Sequence, residues 1–181
     1  MAEATPTMVF VYGTLKRGFP NHPLIAASAC PFAGAASTAA PASLVIGPYV
    51  VPFLLPAPSS SSGRLVSGEL YAASRAALAQ LDALESQLIA IRPQGTHIGL
   101  YERRRITVVV DGSGEAVEAE AYFANPSYAE ALWRRCGGEA AEIGEYTIEH
   151  AAKYVPPGER SDATSGLLDA IHSFIDTAPD S

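Results

Sequence analysis

The sequence has few of the residues that mark several common protein classes. Only two cysteines occur in 181 residues, Cys30 and Cys136, and neither lies in a paired metal-ligand spacing. Two cysteines are too few for a disulfide framework, so we expect a reduced compartment, with the cytoplasm as the default localisation. Residues 1–7 contain an acid and no apolar run, so they predict no secretory signal.

Basic residues are also scarce. The chain has 12 Lys and Arg against 19 Asp and Glu, which gives a formal net charge of −7. Binding to nucleic acid or to an anionic membrane surface depends on Lys and Arg, so this balance argues against both. Nothing in the composition predicts an obligate protein partner.

Charge is distributed unevenly along the chain. Residues 18–63 contain no Asp, Glu, Lys or Arg, while residues 130–181 carry ten acids and four bases. Prolines interrupt the uncharged segment, so no run of ~20 apolar residues is left to span a membrane. We expect the uncharged segment to supply strands and loops, and the acidic excess to affect solubility and not catalysis.

The hydrophobic pattern predicts strands early and helices late. Strands are expected over 8–15, 44–55, 64–71, 101–110 and 115–123, the last two joined by an Asp-Gly-Ser-Gly hairpin turn. Helices are expected from Ser74 to between Glu85 and Leu88, from Asn125-Pro126 through Arg135, and over 145–154 and 164–176. This order predicts an α+β fold. We expect one domain over 8–155 and a C-terminal helical extension over 156–181 that packs on it.

Motifs for metal-dependent or nucleophilic catalysis are missing from the sequence. The four histidines never pair at i,i+4, and no G-x-S-x-G elbow occurs. Phe19 and Pro20 occupy the positions where a phosphate-binding loop requires Lys and Ser or Thr. We therefore expect no metal and no cofactor.

A carboxylate on the helix from Ser74 is the first candidate for chemistry. Five apolar side chains share one face of this helix: Ala77, Leu78, Leu81, Leu84 and Leu88. Glu85 lies roughly 60° from the centre of that face, whereas Asp82 lies roughly 120° away. Partial burial and the nearby helix C-terminus would both raise the pKa of Glu85 toward that of a general base. The helical pattern alone favours the other interpretation, a half-exposed glutamate whose stem packs on leucine.

The turn after the first strand is the second candidate. Tyr12, Gly13, Thr14 and Leu15 follow a buried apolar run. A turn of this kind can direct consecutive backbone N–H groups toward a carboxylate or an oxyanion. By itself the segment also fits an ordinary turn at the end of a strand.

Together these segments resemble a known family. The resemblance rests on Val-Tyr-Gly-Thr-Leu-Lys-Arg-Gly at 11–18, Pro-Asn-His at 20–22, Gly-Arg-Leu-Val-Ser-Gly-Glu-Leu-Tyr at 63–71, Leu-Asp-Ala-Leu-Glu at 81–85 and Tyr-Glu-Arg at 101–103. This order is similar to that of the gamma-glutamylcyclotransferase-like family, and within it to the gamma-glutamylamine cyclotransferase and plant avirulence-induced branches. The resemblance covers roughly residues 8–125, and the tail after about 140 matches the animal enzymes poorly.

The resemblance implies a small mixed β-barrel flanked by helices and an enzyme that needs no cofactor. It implies that Tyr12, Gly13, Thr14 and Leu15 hold the glutamyl group of a small-molecule substrate, and that Glu85 is the acid/base. The implied reaction is intramolecular cyclisation of a gamma-glutamyl amine to 5-oxoproline with release of the free amine.

Several alternatives stay open at this point. The protein could be a non-catalytic gamma-glutamyl-binding or stress-response protein of the same fold, or a cyclotransferase directed at glutathione. Residues 86–100 form a much longer connection than in the animal enzymes and are expected to line or cover the pocket. Tyr122, on the strand after the hairpin, fits either a pocket wall or a core aromatic.

Overall fold

The computed structural model describes residues 4–86, 90–91, 97–98, 100–160 and 166–177, with side chains for all of these except 84–86, 90–91 and 97–98. In chain order the strands and helices are β1 Thr7–Val11, α1 His22–Ala27, β2 Phe32–Thr38, β3 Ala42–Ile46, β4 Pro52–Pro56, β5 Ser67–Ala73, α2 Arg75–Ser86, β6 Ala90–Ile91, β7 His97–Ile98, β8 Tyr101–Val110, β9 Ala116–Ala124, α3 Ala129–Cys136, α4 Ile148–Ala151 and α5 Gly166–Asp176.

Five strands close into a mixed barrel in the order β1-β5-β2-β8-β9. β1 runs antiparallel to β5 and parallel to β9, and these two pairings close the barrel. β8 and β9 form the long hairpin that the Asp-Gly-Ser-Gly turn predicts, with Gly112 in the left-handed region at φ 85°. The predicted α+β fold, a small mixed barrel flanked by helices, is confirmed.

The uncharged segment supplies strands and loops, as expected, but most of it lies outside the barrel. Only β2 enters it, whereas β3 and β4 pair with each other in a separate two-stranded sheet. Prolines bound β4 at both ends, and proline favours edge positions because it has no N–H to donate to a neighbouring strand. The result is a hairpin beside the barrel.

Helix boundaries follow the sequence where a cap is present. The Ser74 hydroxyl accepts from the Ala77 N–H at 3.1 Å, and α2 ends within the predicted range. The prediction that Asn125-Pro126 begins the next helix is wrong. The Asn125 side chain instead accepts from the Ser127 N–H at 3.0 Å, which forms a turn, and α3 begins at Ala129.

Other segments differ in extent from the sequence prediction. α4 covers only Ile148–Ala151 of the expected 145–154, and α1 and β2 were not predicted. β2 is rich in alanine, a poor strand former, so its pairing with β5 and β8 decides its conformation. Within the predicted loop 86–100, the two short strands β6 and β7 pair with each other, and the rest of that loop lies outside the described residues except Ser86 and Leu100.

The apolar residues form clusters inside the barrel, between the barrel and α2, and beneath α3 and α5. Leu167, Leu168 and Ile171 of α5 are buried in the last of these clusters, and Ile175 packs against it. The apolar side of α5 is therefore core, as expected. The division of the chain at residues 155 and 156 stays a prediction.

Two further properties concern only the part of the chain that the structure describes. No helix there is both long and apolar enough to cross a membrane. No group of three or more His, Cys, Asp or Glu residues in that part is arranged to hold a metal ion.

Candidate active site

A cavity of about 370 Å³ lies at the carboxyl end of β1. Its wall includes the segment from Phe10 to Leu15, together with Leu81 of α2 and the tyrosines at 101 and 122 on β8 and β9. The structure thus brings Tyr12, Gly13, Thr14, Leu15 and Tyr122 to one cavity. Their predicted role in holding a glutamyl group stays a prediction.

The turn contains backbone N–H groups that have no acceptor within the described part of the chain. Its carbonyl groups are used: Gly13 accepts from the Lys16 N–H at 3.2 Å, and Thr14 accepts from the Asn21 N–H at 2.9 Å. The N–H groups of Gly13, Thr14 and Leu15 donate no hydrogen bond to any described residue. Three successive unused donors beside a cavity are suited to an oxyanion or a carboxylate.

Gly13 is required by close packing. A Cβ atom at this position would lie 2.6 Å from Cγ of Pro52, the proline that begins β4 and also lines the cavity. Carbon atoms do not approach so closely without displacing one another. The hairpin of β3 and β4 therefore sets the shape of the turn from outside the barrel.

Neighbouring side chains hold the far end of the turn. The Lys16 ammonium is buried and donates to the Tyr146 carbonyl oxygen at 2.6 Å. Burial lowers the pKa of Lys16, an effect that the charges of Glu145 and Glu69 oppose. His22 Nδ1 contacts the carbonyl oxygen of Leu15 at 3.0 Å. These contacts position the turn before any ligand arrives.

Tyr12 and Tyr122 are linked to α2 through Asp82. The Tyr12 hydroxyl donates to the Tyr122 carbonyl oxygen at 2.5 Å, and the Tyr122 hydroxyl donates to Asp82 Oδ1 at 2.7 Å. Arg103 Nε lies 3.2 Å from the same carboxylate oxygen. Asp82 is on the exposed side of the helix, as predicted, with 40% of its side chain accessible. Its role as the acceptor for Tyr122 was missed, because the pairing partner is 40 residues away.

Glu85 falls within α2, one turn of helix after Leu81. Leu81 is 1% exposed and lines the cavity. The side chain of Glu85 lies outside the described residues, so its predicted burial and its role as acid/base stay predictions.

The C-terminal part of the chain also forms a wall of the cavity, through Tyr154, Pro157, Arg160 and Leu167. A hydrogen-bonded chain connects this wall to the turn. Asn21 Nδ2 donates to Thr14 Oγ1 at 2.9 Å and to the Tyr154 hydroxyl at 3.1 Å, and Arg160 Nη2 donates to that hydroxyl at 3.4 Å. None of these four lining residues is acidic, so the expectation that the acidic excess affects solubility and not catalysis stays a prediction. Asn21 belongs to the Pro-Asn-His segment at 20–22, whereas no motif in the sequence marks Tyr154 or Arg160 as site residues.

The family is shown by comparison with known proteins. Residues 9–147 match the family model described as "Gamma-glutamyl cyclotransferase, AIG2-like". The chain belongs to this family, and it is accordingly a cyclotransferase enzyme. The resemblance seen in the sequence is confirmed.

Individual relatives agree with this assignment. The chain is 40% identical to the Arabidopsis thaliana protein named "Putative gamma-glutamylcyclotransferase At3g02910", over 99% of this chain and 97% of that protein. It is 47% identical to the Homo sapiens gamma-glutamylaminecyclotransferase over 44% of this chain and 53% of the human protein. The crystal structure of an AIG2-like protein from Mus musculus superimposes with a TM-score of 0.63 at 27% identity, covering 88% of this chain and 99% of the mouse chain.

Proposed function

We propose that this enzyme cyclises a gamma-glutamyl amine to 5-oxoproline, releases the free amine, and uses Glu85 as its acid/base. The observation that carries the proposal is that Gly13, Thr14 and Leu15 line the cavity and that no described residue accepts from their N–H groups. The names of the human and Arabidopsis relatives support the same reaction class.

The reaction joins two groups of one molecule. The α-amine nitrogen attacks the γ-carbonyl carbon, which forms the lactam bond, and the amide bond to the leaving amine then breaks. The substrate must be folded for this attack, and a close-fitting cavity supplies that conformation. The unused N–H donors would stabilise the negative charge that develops on the carbonyl oxygen.

A proton must move for the attack to occur. An α-amine is mostly protonated at pH 7 and cannot act as a nucleophile in that form. The carboxylate of Glu85 would accept this proton and later deliver one to the departing nitrogen. Position 85 suits this role because it lies one helical turn beyond Leu81, and Leu81 lines the cavity.

The test is the Glu85→Gln variant, which keeps the size of the side chain and removes its basicity. We expect 5-oxoproline release to fall by about 10²- to 10⁴-fold, the usual contribution of a general acid/base. Release is measured by mass spectrometry with γ-glutamyl-ε-lysine, glutathione and simple γ-glutamyl amino acids as parallel substrates. Circular dichroism checks that the variant is folded.

Glu130→Gln is the matched control. Glu130 is a carboxylate on α3 with 61% of its side chain exposed, and it does not line the cavity. This variant should retain full activity. Full activity in Glu85→Gln contradicts the assigned role of Glu85, and wild-type protein that binds these compounds without releasing 5-oxoproline contradicts the proposed reaction.

A further inference from the structure

Arg160 is distinctive among the residues that line the cavity. It carries the only formal charge among those lining residues that the structure describes. It is partly buried, and no carboxylate of a described residue lies within ion-pair distance of it. A cation on a mostly apolar wall is stabilised when an anion arrives to pair with it.

Most of the donors of Arg160 are available. Nε donates to the Val155 carbonyl oxygen at 3.0 Å, and Nη2 donates to the Tyr154 hydroxyl at 3.4 Å. A guanidinium has five N–H donors, so three of them have no acceptor among the described residues. Their fork geometry matches the two oxygens of a carboxylate.

The Tyr154 hydroxyl adds a further donor at the same place. Its oxygen accepts from Asn21 and from Arg160, which uses both lone pairs. The hydroxyl proton is therefore left to donate toward the cavity that Tyr154 lines. Arg160 and Tyr154 together offer only donors.

The guanidinium is held in place by its surroundings. It lies over the Tyr49 ring at 5.0 Å and the Tyr154 ring at 5.8 Å. Tyr49 has φ 60°, a left-handed conformation that costs a non-glycine residue energy. The Val155 N–H donates to the Tyr49 carbonyl oxygen at 3.1 Å, which joins this strained turn to the C-terminal segment. A side chain fixed in this way loses little freedom when it binds a ligand.

We propose that Arg160 and Tyr154 bind a carboxylate of the substrate, so that the enzyme selects anionic gamma-glutamyl compounds. This inference rests on the proposed function for the identity of the ligand. The carboxylate has two possible sources, which are the α-carboxylate of the glutamyl group and a carboxylate on the leaving amine. Both side chains lie beyond residue 147, where the family match ends, so this selectivity belongs to the part of the chain outside the matched region.

The experiment compares carboxylate ligands with neutral partners of the same shape. 5-Oxoproline and its carboxamide differ only at the glutamyl α-carboxylate, and their dissociation constants are measured by calorimetry, which requires no reaction. γ-Glutamylalanine and γ-glutamylethylamide differ at the carboxylate of the leaving group, and they are compared through kcat/KM. Each pair is measured with wild-type protein, Arg160→Gln, Arg160→Lys and Tyr154→Phe.

Arg105→Gln is the matched control, because Arg105 is an exposed residue of β8 that does not line the cavity. Wild-type protein and this control should prefer one carboxylate ligand over its neutral partner by roughly 10- to 100-fold, as expected for a charge-assisted pair. Arg160→Gln should remove that preference. Arg160→Lys should restore part of it, because lysine keeps the charge but lacks the fork.

The ligand pair that loses its preference in the Arg160 variants identifies which carboxylate Arg160 binds. Loss of preference only in the 5-oxoproline pair assigns Arg160 to the glutamyl carboxylate, and loss only in the γ-glutamylalanine pair assigns it to the leaving group. Equal weakening of the carboxylate ligand and its neutral partner in both pairs would show a purely structural role and overturn the inference. The inference would also be overturned if wild-type protein preferred neither carboxylate ligand over its neutral partner. Turnover by wild-type protein tests the proposed function separately, since the calorimetric comparison does not depend on it.

Discussion

The two walls of the cavity use different parts of the polypeptide. The loop wall, residues 12–15, offers backbone N–H groups, while the C-terminal wall, formed by Tyr154, Pro157, Arg160 and Leu167, offers side chains. Backbone donors depend on the path of the chain and serve any substrate with the same reacting group. Side chains distinguish one substrate from another. Under the two proposals above, the loop wall serves the reaction and the C-terminal wall selects the substrate.

The largest effect on activity among the variants that test this comparison is expected from Gly13→Ala. The added Cβ would lie 2.6 Å from Pro52 Cγ, so the turn or the hairpin must shift. A displacement of about 1 Å at a reacting site can cost roughly 100-fold in rate. We expect kcat/KM to fall by about that factor for every substrate alike, measured by 5-oxoproline release. A loss confined to one substrate class would break the division between the walls.

Glu142→Gln should reduce stability while leaving both walls unchanged. Glu142 Oε1 accepts from Ser43 at 2.6 Å, from Ser61 at 2.7 Å and from the Trp133 indole at 2.8 Å. Glutamine keeps a carbonyl acceptor but loses the charge that strengthens these hydrogen bonds, so we expect the free energy of unfolding to fall by about 1.5–3 kcal/mol at pH 7, measured by urea unfolding. The relative kcat/KM values for anionic and neutral substrates should not change.

The pH dependence of the unfolding free energy provides a second test with the Glu142→Gln variant. Burial alone would raise the pKa of Glu142, but hydrogen bonds from Ser43, Ser61 and Trp133 outweigh it and lower the pKa. The stabilisation is therefore complete above the ordinary glutamate pKa of about 4.3 and is lost as the pH falls through the lower folded-state value. The difference in unfolding free energy between wild type and variant should shrink below about pH 4.3. A difference that stays constant with pH would exclude ionisation of Glu142 as its source.

Asp82→Asn tests the role of the loop wall with a smaller expected loss of activity than Gly13→Ala. The variant replaces a charged acceptor of the Tyr122 hydroxyl with a neutral one. Weakening one such hydrogen bond by roughly 1 kcal/mol corresponds to about fivefold in rate. We expect kcat/KM to fall by about that factor for anionic and neutral substrates equally. A change in the ratio of kcat/KM between anionic and neutral substrates would contradict the assignment of Tyr122 to the same role as the loop wall.

Tyr154→Phe should lower kcat/KM by no more than Asp82→Asn does, but its effect should be selective for ligands with the recognised carboxylate. It removes the hydroxyl that joins Asn21 to Arg160 and leaves the ring in place. Loss of one hydrogen bond is worth about 1 kcal/mol, so kcat/KM for the preferred anionic substrate should fall about fivefold. The ligand that lacks the carboxylate bound by Arg160 should be bound or turned over as it is by wild-type protein. Equal weakening within both ligand pairs would place Tyr154 with the loop wall.

Local features of the fold were accessible to prediction because they depend on neighbours in the sequence. The apolar run before Gly13, the Ser74 cap and the Asp-Gly-Ser-Gly turn each led to the element observed. The α3 start was misplaced because Asn125 can cap a turn as well as a helix. The alanine-rich β2 was missed because its strand conformation comes from pairing with β5 and β8.

The candidate site was predictable on one wall only. Tyr12, Gly13, Thr14 and Leu15 form a contiguous motif, so the loop wall could be identified from the sequence. The reason that residue 13 is a glycine could not be identified from the sequence, because Pro52, which packs against it, is 39 residues further along the chain. On the C-terminal wall, Leu167 belongs to the predicted helix 164–176, but no motif marks Tyr154, Pro157 or Arg160 as part of a site.

The sequence by itself determined the strand that leads into the turn, the capped helix that carries Glu85 and the family to which the chain belongs. Each depends on residues close together in the chain, where hydrogen bonds and side-chain periodicity leave a readable pattern. Only the tertiary structure decided how the barrel closes and which residues face the turn. Asn21 and Tyr154 meet across 133 positions. A contact over such a separation forms only when the intervening chain has folded and packed, so the sequence alone gave no sign of the C-terminal wall.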